Sequence, residues 1–290
     1  MKRFCKFLLL LGISLAVAPS AAAQSADELM EEVEFLSGPA LEGRGFGSPG
    51  GCAASFYIFR QFRNAGLRTS FQNFESGGKI GHNVIGVTPG WFRSYIVVSA
   101  YYDGVGKFDG VCYPGADANA SGVAALLWLA RNLPALCTED VGLVFVAFDG
   151  HGASLSGSKA FLDRHAGRYK LKMLVNMELL GSDLEPLHER RPEYLIALGG
   201  ARHRLTLDWA NLGLKLDLST SYYGSENFTD LFYRRIGDQR WFLEADIPAV
   251  MFTSGITEHT NKVSDTADNL APETFAKRVK LIGEWISFML

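Results

Sequence analysis

The chain has little with which to staple, break or strongly charge itself. Its 290 residues include 4 cysteines and 10 prolines, which excludes a disulfide framework and a collagen-like or proline-rich chain. Cys5 lies ahead of an N-terminal apolar run, leaving Cys52, Cys112 and Cys137 in the body of the chain. None has C-x-x-C or Cys/His ligand spacing, and three thiols allow at most one intrachain bridge. Basic side chains (28) nearly balance acidic ones (31), for a formal net charge of −3. With no basic stripe, nucleic acid is excluded as an expected partner. No internal repeat, long linker or composition shift divides the sequence. What it does have is apolar: 48% hydrophobic and 12% aromatic residues, enough at this length to bury a sizeable core.

The N-terminus reads as a targeting segment. Lys2, Arg3 and Lys6 precede an apolar run over 7–17, and Ala21-Ala22-Ala23 before Gln24 fits a small-residue cleavage site. The run is shorter than the roughly 20 residues needed to span a bilayer. A signal peptide over 1–23 is therefore expected, with export to a periplasmic or secreted location and no membrane span after cleavage.

Beyond it, Ser25-Ala26-Asp27-Glu28 opens a capped helical pattern, and a glycine-rich loop follows over 41–51. Helical periodicity returns over 56–65 and stops at Gly66. Short apolar runs over 82–87, 95–100, 141–148, 173–177, 194–198 and 249–253 read as strands. Residues 141–148 are almost uniformly apolar, as expected of a central strand buried on both faces. Helices are expected over 123–130, 161–169 and 274–288. Alternating strands and helices predict an α/β, three-layer fold, a mostly parallel central sheet flanked by helices, in one domain over 25–290.

Ligands of such sheets bind beyond the carboxyl ends of the strands, and four expected strands end on polar residues. The first runs into Tyr101-Tyr102-Asp103, the next into Asp149-Gly150-His151, and the third into Glu178; the last leads through Ser254-Gly255 toward Glu258-His259. Between the first two, the small-residue turn 115–122 carries Asp117. Alone, Asp103 and Asp149 fit helix or turn caps, Asp117 fits an Asx-turn, and His151 or His259 fits an ordinary hydrogen-bonded imidazole. Glu178 after an apolar strand needs a cation or a donor. Together these segments bring carboxylates and imidazoles to one sheet edge, as a hydrolytic metal site requires.

The ordered landmarks Leu41-Glu42-Gly43-Arg44-Gly45, Gly47-Ser48-Pro49-Gly50 and Asn83-Val84-Ile85-Gly86 belong to a longer series. It continues with Gly115-Ala116-Asp117-x-Asn119-Ala120-Ser121-Gly122, Leu155-x-Gly157-Ser158, Asn176-Met177-Glu178, Ile247-Pro248-Ala249 and Ser264-Asp265-Thr266. On these the chain resembles the zinc exopeptidase family of co-catalytic di-zinc aminopeptidases and glutaminyl cyclases, from about Leu36 to the C-terminus. The resemblance implies two zinc ions bridged by Asp117 and a water, with a Glu acting as general base. Glu178 and His259 then serve as ligands of one metal, and Asp103 matches the Asp that orients the opposite metal's His. The family reads His-x-Asp where this chain has Tyr101-x-Asp103, and Glu-Glu where it has His151-Gly152. Near the family's Ser-Asp-His segment, Gly237-Asp238-Gln239 keeps the Asp and lacks the His.

One metal site then fails for want of ligands, and one zinc at Asp117, Glu178 and His259 is expected. Ungapped counting from Ser264-Asp265-Thr266 places Asn261 at the His position, and a two-residue insertion restores His259. His151 can replace the missing base, an imidazole near pKa 6.5 being able to accept a proton at neutral pH, or it can be a gatekeeper hydrogen-bonded to Tyr101. The implied activity is an exported aminopeptidase-like zinc hydrolase taking a peptide or amino-acid-like ligand, with catalytic roles for His151 and Asp103. The alternative is an inactive pseudopeptidase that serves as a binding module. A one-zinc transferase like the glutaminyl cyclases is weakened by the missing paired Glu residues.

Overall fold

The computed structural model describes residues 21–290. The expected signal peptide therefore falls almost wholly outside the described residues. The described residues form the strands β1 (Arg68–Ser76), β2 (Lys79–Val87), β3 (Ser94–Tyr101), β4 (Gly106–Phe108), β5 (Val111–Tyr113), β6 (Val141–Phe148), β7 (Leu171–Met177), β8 (Tyr194–Leu198), β9 (Asp217–Ser219) and β10 (Ala249–Thr253). Eight of them form one sheet in the order β1-β2-β6-β3-β7-β10-β8-β9, while β4 and β5 make a separate ribbon. The centre of the large sheet, β6-β3-β7-β10, is parallel. β2 joins β6 antiparallel and β8 joins β10 antiparallel, so the sheet is mixed around a parallel core.

Burial follows composition. Every residue of β6 and β10 is buried, as expected of strands covered on both faces by helices. Helices α1 (Ala21–Ser37), α2 (Pro49–Asn64), α3 (Gly122–Asn132), α5 (Arg204–Asn211) and α8 (Pro272–Ser287) contribute to the layer on one face; α4 (Ser156–His165) and α7 (Gln239–Glu244) cover the other, and α6 (Glu226–Leu231) leads into Phe232, which packs in one cluster with the β8 residues Tyr194, Ile196 and Leu198. On the first face, Phe62, Leu126, Phe252, Phe275 and Trp285 share one core. On the second, Phe148, Phe161 and Phe242 meet as a ring cluster, with centroids 5.8–6.4 Å apart. The helix starts are chemically marked: Ser48 accepts a hydrogen bond from Gly51 N–H at 3.1 Å just ahead of Pro49.

Register is what matters for function. Tyr101 pairs with Phe148, Ser99 with Asn176, and Met177 with Phe252. The carboxyl ends of the four parallel strands are thus level, and the polar residues that follow them share one edge. Cys52, Cys112 and Cys137 are free thiols. Among the described residues no helix is long and apolar enough to cross a membrane.

Candidate metal centre

Asp117 sits in the turn 115–121, ahead of the apolar helix α3. The turn starts at Gly115, whose φ of +61° and 2.5 Å approach of a notional Cβ to the Ala118 carbonyl admit no side chain without strain. Its other fixtures are long-range. Both carboxylate oxygens of Asp265 accept from the turn's amides, Asp117 N–H at 2.7 Å and Ala118 N–H at 3.0 Å. The Asn119 side chain donates to the carbonyls of Tyr101 and Met177 and accepts from Leu179 N–H, tying the turn to the ends of β3 and β7. The fully buried Arg44 donates to the carbonyls of Tyr102, Leu36, Pro114 and Gly115. Arg44 and Asp265, both inside the landmark motifs, hold the turn in place.

The Asp117 side chain is only half satisfied. Oδ1 accepts from Gly181 N–H at 2.8 Å and from the Ser121 hydroxyl at 3.0 Å, whereas Oδ2 is buried with no hydrogen-bond partner. Glu178 follows β7; its Oε1 accepts from Asn176 Nδ2 at 2.7 Å, and Asn176 is itself held by Ser99 and Gln239. His259 is partly buried, with Nδ1 2.9 Å from the Ser264 hydroxyl. That contact leaves Nε2 as the ring nitrogen available to a ligand. Asn261 is solvent-exposed at φ +59°.

On the other side of Glu178 lies a second group. His151, Glu178 and Asp238 present ligand atoms all within 4.8 Å of one another; Asp117 and His259 do not belong to this group. His151 Nδ1 lies 2.8 Å from Asp238 Oδ2, and its ring stacks on Tyr101 at a centroid distance of 3.7 Å and an interplanar angle of 14°. The expected alternative of a His151–Tyr101 hydrogen bond is thus replaced by face-to-face contact, with Asp238 as the imidazole's partner. Asp103 Oδ1 accepts from His151 N–H at 2.9 Å and Oδ2 from Gly152 N–H at 3.3 Å. Asp103 therefore fixes the backbone that carries His151 rather than an imidazole ring. Asp238 was visible in sequence only as the retained member of Gly237-Asp238-Gln239; nothing local ties it to a residue 87 positions away.

The electrostatics are those of an under-compensated acidic site. Asp103, Asp117, Asp149, Glu178, Asp238 and Asp265 are all buried. Burial, then repulsion from Asp149, pushes Asp103 up to about 7. Burial raises Asp117 to about 6 against the Gly181 hydrogen bond, and raises Glu178 to about 7 against the attraction of His151. Burial alone would lower His151, but Asp238, Glu178 and Asp103 outweigh it and bring the imidazole to about 9. The expectation of a His151 near its ordinary value is corrected accordingly: with the carboxylates ionised, it holds its proton at neutral pH. Tyr101, buried and facing Glu178, Asp103, Asp238 and Asp117, is pushed well above the usual phenol range and stays neutral.

Among the described residues, His151, Glu178 and Asp238 are the group whose ligand atoms lie close enough to share one ion, and the expected set Asp117, Glu178 and His259 is not brought within that distance. Buried Asp117 Oδ2 and Asp238 Oδ1 have no donor, and the raised carboxyls mark a deficit of positive charge. Asp117, Glu178 and His259 supply the oxygen and nitrogen ligand types that zinc takes.

The comparisons with known proteins agree with this architecture. Residues 83–286 match peptidase family M28, and the chain belongs to that family. A zinc aminopeptidase from Bacillus subtilis has the same fold, with TM-score 0.74 and 14% identity, over 91% of this chain and 95% of that one. The LapA aminopeptidase of Legionella pneumophila superposes with TM-score 0.75 and 17% identity, over 92% of this chain and 73% of LapA. The glutaminyl cyclase of Porphyromonas gingivalis gives TM-score 0.70 and 15% identity, over 91% and 98% of the two chains. In sequence, the alkaline phosphatase isozyme conversion protein of Escherichia coli is 28% identical over 159 residues, 47% of this chain. The chain spans 46%, just under half, of that relative's length.

Proposed function

We propose that this M28 protein is an aminopeptidase-like metallohydrolase that cleaves peptide N-termini or similar amides with one zinc ion held by Asp117, Glu178 and His259. The observation that carries this is Asp117 Oδ2, a carboxylate oxygen sealed from solvent without a donor, at the sheet edge where such folds bind ligands. Bound there, zinc supplies Lewis-acid polarisation of the scissile carbonyl and an acidified water.

The chain's own residues supply position and proton control. Arg44, Asn119 and Asp265 hold the Asp117 turn, and Ser264 orients His259. Asp103 fixes the backbone of His151, and Asp238 fixes the ring. A dication held at Glu178 would offset one of the charges that keep the proton on His151. With Nδ1 against Asp238, His151 is placed to exchange a proton with substrate or water at Nε2.

One observation favours a second function, an inactive binding module. The His151–Asp238 pair and the Tyr101 stack satisfy each other where the resemblance calls for a ligand and a base. Metal per chain, measured by mass spectrometry on protein purified without chelator, and turnover of aminoacyl-4-nitroanilides separate the two. One zinc with turnover, both lost in Glu178→Gln, supports the hydrolase. Zinc without turnover, or no zinc, supports the module.

We also propose export through the segment 1–23. N-terminal sequencing of the secreted or periplasmic protein should begin at Gln24, and an intact Met1 would refute it.

A further inference from the structure

We infer that a cavity at the opposite edge of the sheet binds a small organic anion with an aromatic or other flat apolar body. The cavity, about 730 Å³, lies where β1, β3 and β7 begin, against the end of β2. The candidate metal centre follows the far ends of β3 and β7, roughly 25 Å away at about 3.3 Å per residue. This volume is in the range of small-molecule sites.

The lining has one sign of charge. Arg68, Arg93, Arg168 and Lys170 line it, and no Asp or Glu does. Arg93 is already paired with Asp140 at 3.2 Å. Arg68 reaches only a backbone carbonyl, that of Gly90, at 3.4 Å. Arg168 lies over the Tyr169 ring at 5.5 Å, and Lys170 is exposed with no ion pair among the described residues. Three cations therefore face the cavity without a carboxylate.

The walls are flat and apolar. Phe92 meets Tyr95 edge-on at 5.7 Å, and Tyr95 meets Tyr169 at 5.0 Å. Gly142, at the start of β6, makes room for Phe92, since a Cβ there would come within 2.5 Å of its ring. Trp91, 94% exposed, stands at the mouth.

One residue of the wall is polar and unanswered. His165 lines the cavity, is 8% exposed, and has both ring nitrogens buried without a hydrogen-bond partner. Burial, with Arg168 and Arg164 nearby, lowers its pKa, so the neutral ring offers one N–H donor and one lone pair. A buried imidazole without partners is costly unless a ligand or water answers it. Cations at the rim and rings along the walls, backed by an unsatisfied imidazole held between Phe161 and Tyr169, together specify an anion attached to a flat body. A concave site with a buried polar group favours a small ligand over a lipid surface.

Calorimetric titration of the purified protein with naphthalene-2-sulfonate, methanesulfonate and 2-naphthalenemethanol tests this. Naphthalene-2-sulfonate should bind at one per chain and change Trp91 fluorescence, a change absent from Trp91→Phe. The ring-free anion and the uncharged ring should each bind at least ~10-fold more weakly. The exposed double variant Arg168→Ala/Lys170→Ala should lose ~10-fold or more and much of the salt dependence. His165→Phe keeps a ring without nitrogens and should also weaken binding. Glu178→Gln should leave it unchanged. Several results would overturn the inference: equal binding of 2-naphthalenemethanol (an apolar groove only), equal binding of methanesulfonate (an adventitious ion only), loss in Glu178→Gln (the metal centre), or binding to anionic phospholipid vesicles without naphthalene-2-sulfonate binding.

Discussion

His151 concentrates the chemistry of this site in one side chain. Its backbone is held by Asp103, its ring by Asp238 and the face of Tyr101. Replacing it with alanine should lower kcat on aminoacyl substrates by ~10²–10⁴, the usual cost of losing a general acid–base group. Zinc content should stay at one per chain by mass spectrometry, because His151 is outside the proposed ligand set. The neighbouring glycine permits the opposite experiment. A Cβ at Gly152 would find only Asp103 Oδ2, at an ordinary 3.9 Å, so a larger side chain is admitted there. The variant Tyr101→His/His151→Glu/Gly152→Glu restores the residue types the resemblance calls for at those positions. It should raise zinc from one to two per chain; a stoichiometry unchanged at one would show that the second site needs more than its ligands.

At the scale of elements, the turn 115–121 is the unit on which the site depends. Asp265→Ala would strand the buried amides of Asp117 and Ala118, at a cost of about 1–3 kcal/mol for each donor left unpaired. Urea denaturation should show that loss, together with weaker zinc binding; Asp265→Asn, which keeps one acceptor oxygen, should lie between. The sequence made the central strands legible because they are apolar throughout: β6, β8 and β10 occur at the expected residues and β2, β3 and β7 within three of them. β1 was not legible. Its residues alternate between exposed and half-buried around a single buried Gln72, so it carries no apolar run, and it exists by pairing with β2 across the tight turn at Gly77-Gly78. The antiparallel direction of β2 and β8 was equally hidden, since hydropathy records burial and not strand direction. In the site, strand-end positions disclosed Asp103, Glu178 and His151. Asp238 required knowledge of which loop folds back over the edge.

For the whole molecule, the buried carboxylates tie stability to pH. Asp103, Asp117 and Glu178 stand at about 7, 6 and 7, above ordinary values of 3.8, 3.8 and 4.5. The folded chain therefore binds more protons than the unfolded chain in that interval. Without metal, stability should fall as pH rises from about 4 to about 7. His151, raised from 6.5 to about 9, contributes stability that is complete below 6.5 and disappears as pH rises through 9. A bound dication favours the ionised carboxylates and reverses the first loss. The Tm of zinc-loaded protein minus that of chelator-treated protein should be larger at pH 8 than at pH 5; an equal increment at both would mean that these carboxyls are not the ones the metal engages.

The pairing of Asp265 with the Asp117 turn also bears on how the chain acquires its site. That contact closes 148 residues of sequence, and the His151–Asp238 contact closes 87. Contacts this remote form late, because the entropy of closing the intervening loops must be overcome first. A nascent or partly folded chain thus has scattered carboxylates and imidazoles and no preformed cage, so metal capture follows closure of the sheet. Chains shortened before β10 should be metal-poor however well their N-terminal half folds, and zinc uptake during refolding becomes a clock for the arrival of the last strand.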